Sequence, residues 1–209
     1  MMLFIHASLP VHSESDSIIW NLEKSSIFSV RSLYNFLINS RSASIKYTPH
    51  FCWKYPVPPK LSAFTWLVCK KKILTIDNLR KRGMVLTNIC LCCMRDEEYV
   101  NHLLLHCPFI SEIWPDLLLR FNMSWVFPNS VDLLILAWNG VDCNKYFTHL
   151  WRMAILAIWW SVWEERNRRC FTDSSNFAQV VASRAKRSLI EWASIDDKLR
   201  DCGLQFLGT

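Results

Sequence analysis

The sequence predicts an all-α protein, in which an irregular helical region in the first half is followed by a long-helix C-terminal region. Three observations carry that expectation. Apolar residues recur at spacings of three and four along most of the chain, and no stretch alternates strongly enough to read as a strand. The composition is that of a folded chain: 51% hydrophobic, 20% charged, four Gly and eight Pro in 209 residues. Ser, Thr, Asn, Gly and Pro fall where helices should start and stop. Eleven Trp and twelve Phe add a large apolar surface that must be buried or must mark a partner site.

Residues 1–17 are Ser-rich and read as a loose leader. Ser29 is placed to cap a helix carrying Val30, Leu33, Tyr34, Leu37 and Ile38, and residues 40–49 read as a polar connector. Pro58 and Pro59 suit a helix start, because the first N–H groups of a helix have no internal partner. A helix is expected from Lys60 to Lys71 with a stripe of Leu61, Phe64, Leu67 and Val68. Thr75 then caps a short helix from Ile76 to Arg82, closed by Gly83 in the left-handed conformation. Phe109 to Phe121 reads as one amphipathic helix, and Asn129 or Ser130 caps the next, which ends near Trp138. After a loop from Gly140 to Asn144, a long helix should span Lys145 to Phe171. The last helix, from Asn176 to Arg200, puts Val180, Ala185, Leu189 and Trp192 on one side.

Between these helices lies a compact array of soft ligands. Cys90 and Cys93 form a C-x2-C pair, whose two intervening residues let a tight turn aim both sulfurs at one ion. Cys92 is a bystander. His102 supplies a third ligand, and the fourth is Cys107 or, alternatively, His106. In a helix over residues 99–106, His102 and His106 share a face at i,i+4; Pro108 instead pushes Cys107 out of helical geometry and lets it turn back toward His102. Cys107 is the preferred reading. Four such ligands around zinc close the site, so it is structural and one zinc ion is the expected cofactor. Cys52, Cys69, Cys143, Cys170 and Cys202 have no partner at ligand spacing, and Glu97 and Glu98 read as a solvated acidic turn. No nucleophile, base and orienting group come together, so no enzyme is expected.

Charge is uneven. Residues 1–89 hold 12 Lys and Arg against 4 Asp and Glu, net +8; residues 90–149 are net −4 and residues 150–209 net +2. An acidic partner such as RNA or DNA would therefore meet the first half. The candidates are Lys70, Lys71, Lys72, Arg80, Lys81 and Arg82, with Trp53, Tyr55 and Trp66 as stacking faces. A protein partner could use the Trp151 to Trp163 stripe. The apolar run from Met153 to Val162 is too short to span a membrane, and Met1 to Ile5 lacks the basic flank of a signal peptide. The expectation is an intracellular protein, nuclear or cytoplasmic, with reduced thiols.

Several separate motifs agree in order and spacing with one family. They are Phe28-Ser29-Val30-Arg31-Ser32-Leu33-Tyr34, Trp53-Lys54, Val57-Pro58-Pro59-Lys60, Phe64-Thr65-Trp66, Leu79-Arg80-Lys81-Arg82-Gly83, the Cys90/Cys93 pair, His102 to Cys107, and Ile113-Trp114. This set resembles the zinc-binding domain found C-terminal to the reverse transcriptase of plant non-LTR retrotransposons, over about residues 18–115. The later Trp159-Trp160 and Trp163 to Arg169 resemble the tail that follows it. The resemblance implies a non-catalytic zinc module over residues 18–122, here standing alone without its polymerase, and a helical C-terminal region over 123–209. It further implies a nucleic-acid ligand; the alternative is a structural or protein-interaction domain.

Overall fold

A computed structural model describes residues 19–33, 53–141, 145–195 and Leu199. The chain divides into two compact units, residues 1–43 and 44–209. In the first, residues 30–33 are helical and Ser29 fulfils its capping role: its hydroxyl accepts from the Ser32 N–H at 3.1 Å. Trp20 meets Phe28 edge to face at 4.9 Å and donates its indole N–H to the Ser32 hydroxyl. The leader, and Tyr34, Leu37 and Ile38, lie outside the described residues.

The second unit is built from helices, with no strand among the described residues. Helix α1 spans Pro59–Cys69 and begins with proline at its first position, and Leu61, Phe64 and Val68 are buried as expected, with Leu67 half-buried. Helix α2 is Ile76–Lys81, and Gly83 follows it at φ 91°, a conformation that suits a residue without a side chain. A π-helical turn covers His102–His106. It is followed by α3 (Pro108–Ser111), α4 (Trp114–Arg120), α5 (Val131–Asn139), α6 (Lys145–Phe171) and α7 (Ala178–Ile195). Ser130 caps α5 by accepting from the Leu133 N–H.

Three expectations need correction here. Phe109 to Phe121 is two short helices, α3 and α4, because Pro115 sits at the start of α4 and cannot continue a helix from upstream. The last helix begins at Ala178 and buries Val181, whereas Val180 is exposed. The Trp151 to Trp163 stripe is core: Trp151 and Trp159 are completely buried, and only Trp160 and Trp163 keep partial exposure.

One hydrophobic core runs from Tyr55 to Leu199 and draws on residues from both sides of position 122. Helix α6 is its axis, packing along α7 and against α1 and the π turn. The rings of Trp138 and Trp151 stack at 3.8 Å, only 8° from parallel. Each indole N–H donates to the other residue's carbonyl, so burying both tryptophans leaves neither donor unpaired.

Candidate metal centre

The centre is made by two short pieces of backbone. In the first, the Cys90 N–H donates to the Asp96 carbonyl at 2.7 Å and the Met94 N–H donates to the Cys90 carbonyl at 2.8 Å, folding residues 90–96 into a knuckle. In the second, the Cys107 N–H donates to the His102 carbonyl at 2.6 Å, an i to i+5 bond that defines the π turn. The turn widens for a local reason. Pro108 has no N–H for the carbonyl four residues back, that of Leu104, and its ring opposes regular helix there. The Trp159 indole on α6 fills the gap, donating to the Leu104 carbonyl at 3.1 Å.

The widened turn decides which side chain comes back to His102. Residues five apart are about 140° apart around a regular α-helix, whereas an i to i+5 turn brings them near one face. Cys107 thus returns to His102, and His106 is left exposed. One ligand atom from each of Cys90, Cys93, His102 and Cys107 lies within 4.8 Å of all the others. The Cys90 and Cys107 sulfurs are 3.8 Å apart, and the Cys93 sulfur is 3.4 Å from His102 Nε2. A tetrahedron with Zn–S of about 2.3 Å and Zn–N of about 2.0 Å has edges of roughly 3.8 Å between sulfurs and 3.5 Å from sulfur to nitrogen. Donor type, donor number and spacing all fit one zinc ion. Cys92 is buried, but its sulfur is not part of the set.

Hydrogen bonds from Cys107 and Cys92 push the Cys90 thiol far below its usual range, and the same contacts push those two thiols far above theirs. Burial opposes charge on His102, yet its contacts with Cys90 and Cys93 win and raise its pKa to about 9. A thiolate held among donors is a ready ligand for a cation.

Residues 28–114 match the protein family described as zinc-binding in reverse transcriptase. The chain is also similar to a protein of Arabidopsis thaliana described as a candidate ribonuclease H protein, with 30% identity over 101 residues. The similarity takes in 47% of this chain and 16% of that relative, so the chain spans only a small part of the relative's length. No solved structure matches the chain.

The surroundings of the metal centre come in part from outside the matched segment. Glu98, expected in a solvated turn, is completely buried. Its carboxylate accepts three hydrogen bonds from Arg166 on α6, at 3.1, 3.2 and 2.8 Å. It also accepts from the Ile76 N–H at 3.0 Å and the Leu91 N–H at 3.4 Å. Glu98 therefore caps α2 in place of Thr75, whose hydroxyl is turned to Asp77 instead. No local pattern announces this, because its partner is 68 residues away. Arg169, one turn along α6, donates to the carbonyls of Cys92 at 2.8 Å and Leu91 at 3.4 Å and lies over the Phe109 ring at 4.4 Å. It is held by the buried Glu165 at 3.1 Å.

The basic residues of the domain sit on the adjoining loop and helix. The Asn78 amide donates to the carbonyls of Lys71 and Ile73, tying the segment with Lys70, Lys71 and Lys72 to α2, whose last turn carries Arg80 and Lys81, with Arg82 following. Lys71 pairs with Asp132 and Lys81 with Asp77. Lys70, Lys72, Arg80 and Arg82 have no carboxylate partner among the described residues. Of the expected stacking residues, Trp53 and Trp66 are exposed, but Tyr55 is buried and is withdrawn from that role. No helix of the described residues is long and apolar enough to cross a membrane.

Proposed function

We propose that this chain is a non-catalytic module in which Cys90, Cys93, His102 and Cys107 hold one zinc ion, and that its cationic loop and helix bind the phosphate backbone of RNA or DNA. The observation that carries the first part is the set of three sulfurs and one imidazole at tetrahedral spacing, with Cys90, His102 and Cys107 buried and Cys93 half-buried. Such a set leaves zinc no open position for a water or substrate, so the ion contributes folding energy and not catalysis. The ribonuclease H name belongs to a relative of which only 16% is matched, and it is not carried over.

Support for the second part is electrostatic. Lys70, Lys72, Arg80 and Arg82 are joined on one loop and helix, three of them exposed, with the exposed Trp66 one turn before Lys70 on α1. Unpaired cations of this kind displace counterions from a nucleic acid. The competing reading, a protein-interaction surface on the Trp151 to Trp163 stripe, loses its basis because that stripe is mostly core. Fluorescence anisotropy with labelled RNA and DNA at two salt concentrations tests the proposal. Binding should weaken with salt, and replacing the four cations by Ala should flatten the dependence by up to roughly 0.9 log units per lost phosphate contact. Binding that is absent at low salt or indifferent to salt overturns it.

A further inference from the structure

We infer that Arg169 and Arg166, on α6 and more than fifty residues beyond the end of the matched family segment, are positioning residues for the metal, so that the zinc site is completed by the C-terminal helices. The inference rests on the zinc reading above and extends it to residues that the family match leaves out.

The two ligand-bearing limbs are short and irregular, and neither is stiffened by regular helix or sheet of its own. Each is fastened to α6. Nη1 of Arg169 holds the knuckle by donating to the carbonyls of both Leu91 and Cys92, the two residues between the ligands Cys90 and Cys93. The same guanidinium lies over Phe109, two residues after the ligand Cys107, and so touches the second limb as well. Arg166 reaches the knuckle indirectly, through the Glu98 carboxylate that accepts the Leu91 N–H. Trp159, two turns earlier on α6, holds the Leu104 carbonyl inside the π turn. One face of one helix therefore fixes both limbs at the separation the tetrahedron needs.

Arg169 is itself aimed from two directions. Its Nη2 donates to the Asn176 carbonyl at 2.9 Å, and its Nε donates to Glu165. The Glu165 carboxylate in turn accepts from the Asn176 N–H at 2.6 Å and from its side-chain amide at 2.8 Å. The turn between α6 and α7 thus locks the guanidinium before any metal arrives. Outer partners that orient ligands in this way commonly change metal affinity by 10- to 100-fold when removed.

The experiment uses the full chain loaded with zinc. Metal content of the wild type comes first: about one zinc per chain supports the site, and no zinc overturns the site and the inference together. The rate at which zinc passes to an excess of a chromogenic chelator is then measured for Arg169→Met and Arg169→Lys, beside Leu189→Ala, which opens a cavity in α7 far from the ligands in sequence. Release should quicken about 100-fold in the Met variant and about 10-fold in the Lys variant, which keeps one donor but not the fork. Leu189→Ala should release zinc near the wild-type rate despite a lower melting temperature. Cobalt-loaded Arg169→Lys should also show shifted visible absorption bands, which report ligand geometry and not global stability. A wild type with one zinc, together with Arg169 variants that release it no faster than Leu189→Ala and leave the cobalt bands in place, overturns the inference alone.

Discussion

Replacing Arg166 by Met tests how the buried ion pair with Glu98 is held. The Arg166 side chain is 3% exposed and that of Glu98 is 0% exposed, so neither charge can turn to water when its partner is lost. Removing one member of such a pair costs about 3–5 kcal/mol, against about 1 kcal/mol or less for a surface pair. Glu98→Leu should cost more than Arg166→Met. It strands the guanidinium and also leaves the N–H groups of Ile76 and Leu91 without an acceptor, at roughly 1–3 kcal/mol each. In the double variant both charges are gone and only those two N–H groups remain unpaired. Its loss should therefore fall short of the sum of the single losses by about 3 kcal/mol or more. The assay is urea denaturation of zinc-saturated protein followed by circular dichroism, with the double-mutant cycle closed. If Arg166→Met costs less than about 1 kcal/mol, or the two changes simply add, the carboxylate has another route to solvation and the reasoning fails.

Three further outcomes follow from particular contacts. Cys107→Ser should lose bound zinc while His106→Ala, altering an exposed imidazole, keeps it, as read by metal analysis of the purified proteins; the reverse pattern moves the ligand. Trp159→Phe should cost at least about 1–3 kcal/mol in denaturant unfolding, since it strands the buried Leu104 carbonyl and leaves a cavity where part of a fully buried ring stood. Burial opposes the charged form of Glu165, but hydrogen bonds from Asn176 and Arg169 outweigh it and lower its pKa from 4.5. A lowered value in the folded state means a contribution present above the ordinary carboxylate pKa and lost as pH falls through the folded one. The stability gap between wild type and Glu165→Gln should therefore narrow as the pH is lowered through and below the ordinary carboxylate range, and a gap that stays constant on acidification would contradict the assignment.

What could be read from the sequence was what local spacing controls. The bounds of α6, from Lys145 to Phe171, follow from one long apolar period, and Ser29 and Ser130 cap because a hydroxyl needs only the next turn as its partner. The metal array was legible for the same reason: its four members lie within eighteen residues. Which of His106 and Cys107 joins the cluster was half legible, since Pro108 signals the break but not the π turn that follows from it. Illegible were contacts across long separations. Nothing near Glu98 announces Arg166, and nothing in the Glu164 to Arg169 run distinguishes its buried members, Glu165 and Arg166, from a solvated helix end. Val181 took the place of Val180 because two adjacent valines differ by only one helical step, and the start of α7 is set by Asn176 being engaged with Glu165.

The stacked pair of Trp138 and Trp151 has an optical consequence. Two indoles held 3.8 Å apart and within 8° of parallel are close enough for their ultraviolet transitions to couple, so their near-ultraviolet circular dichroism depends on how the two rings are held. The pair sits on α5 and α6, beyond the matched segment, and its geometry depends on both helices being seated. The protein thus carries its own label-free gauge of the C-terminal half, readable during zinc removal without touching any residue near the ligands.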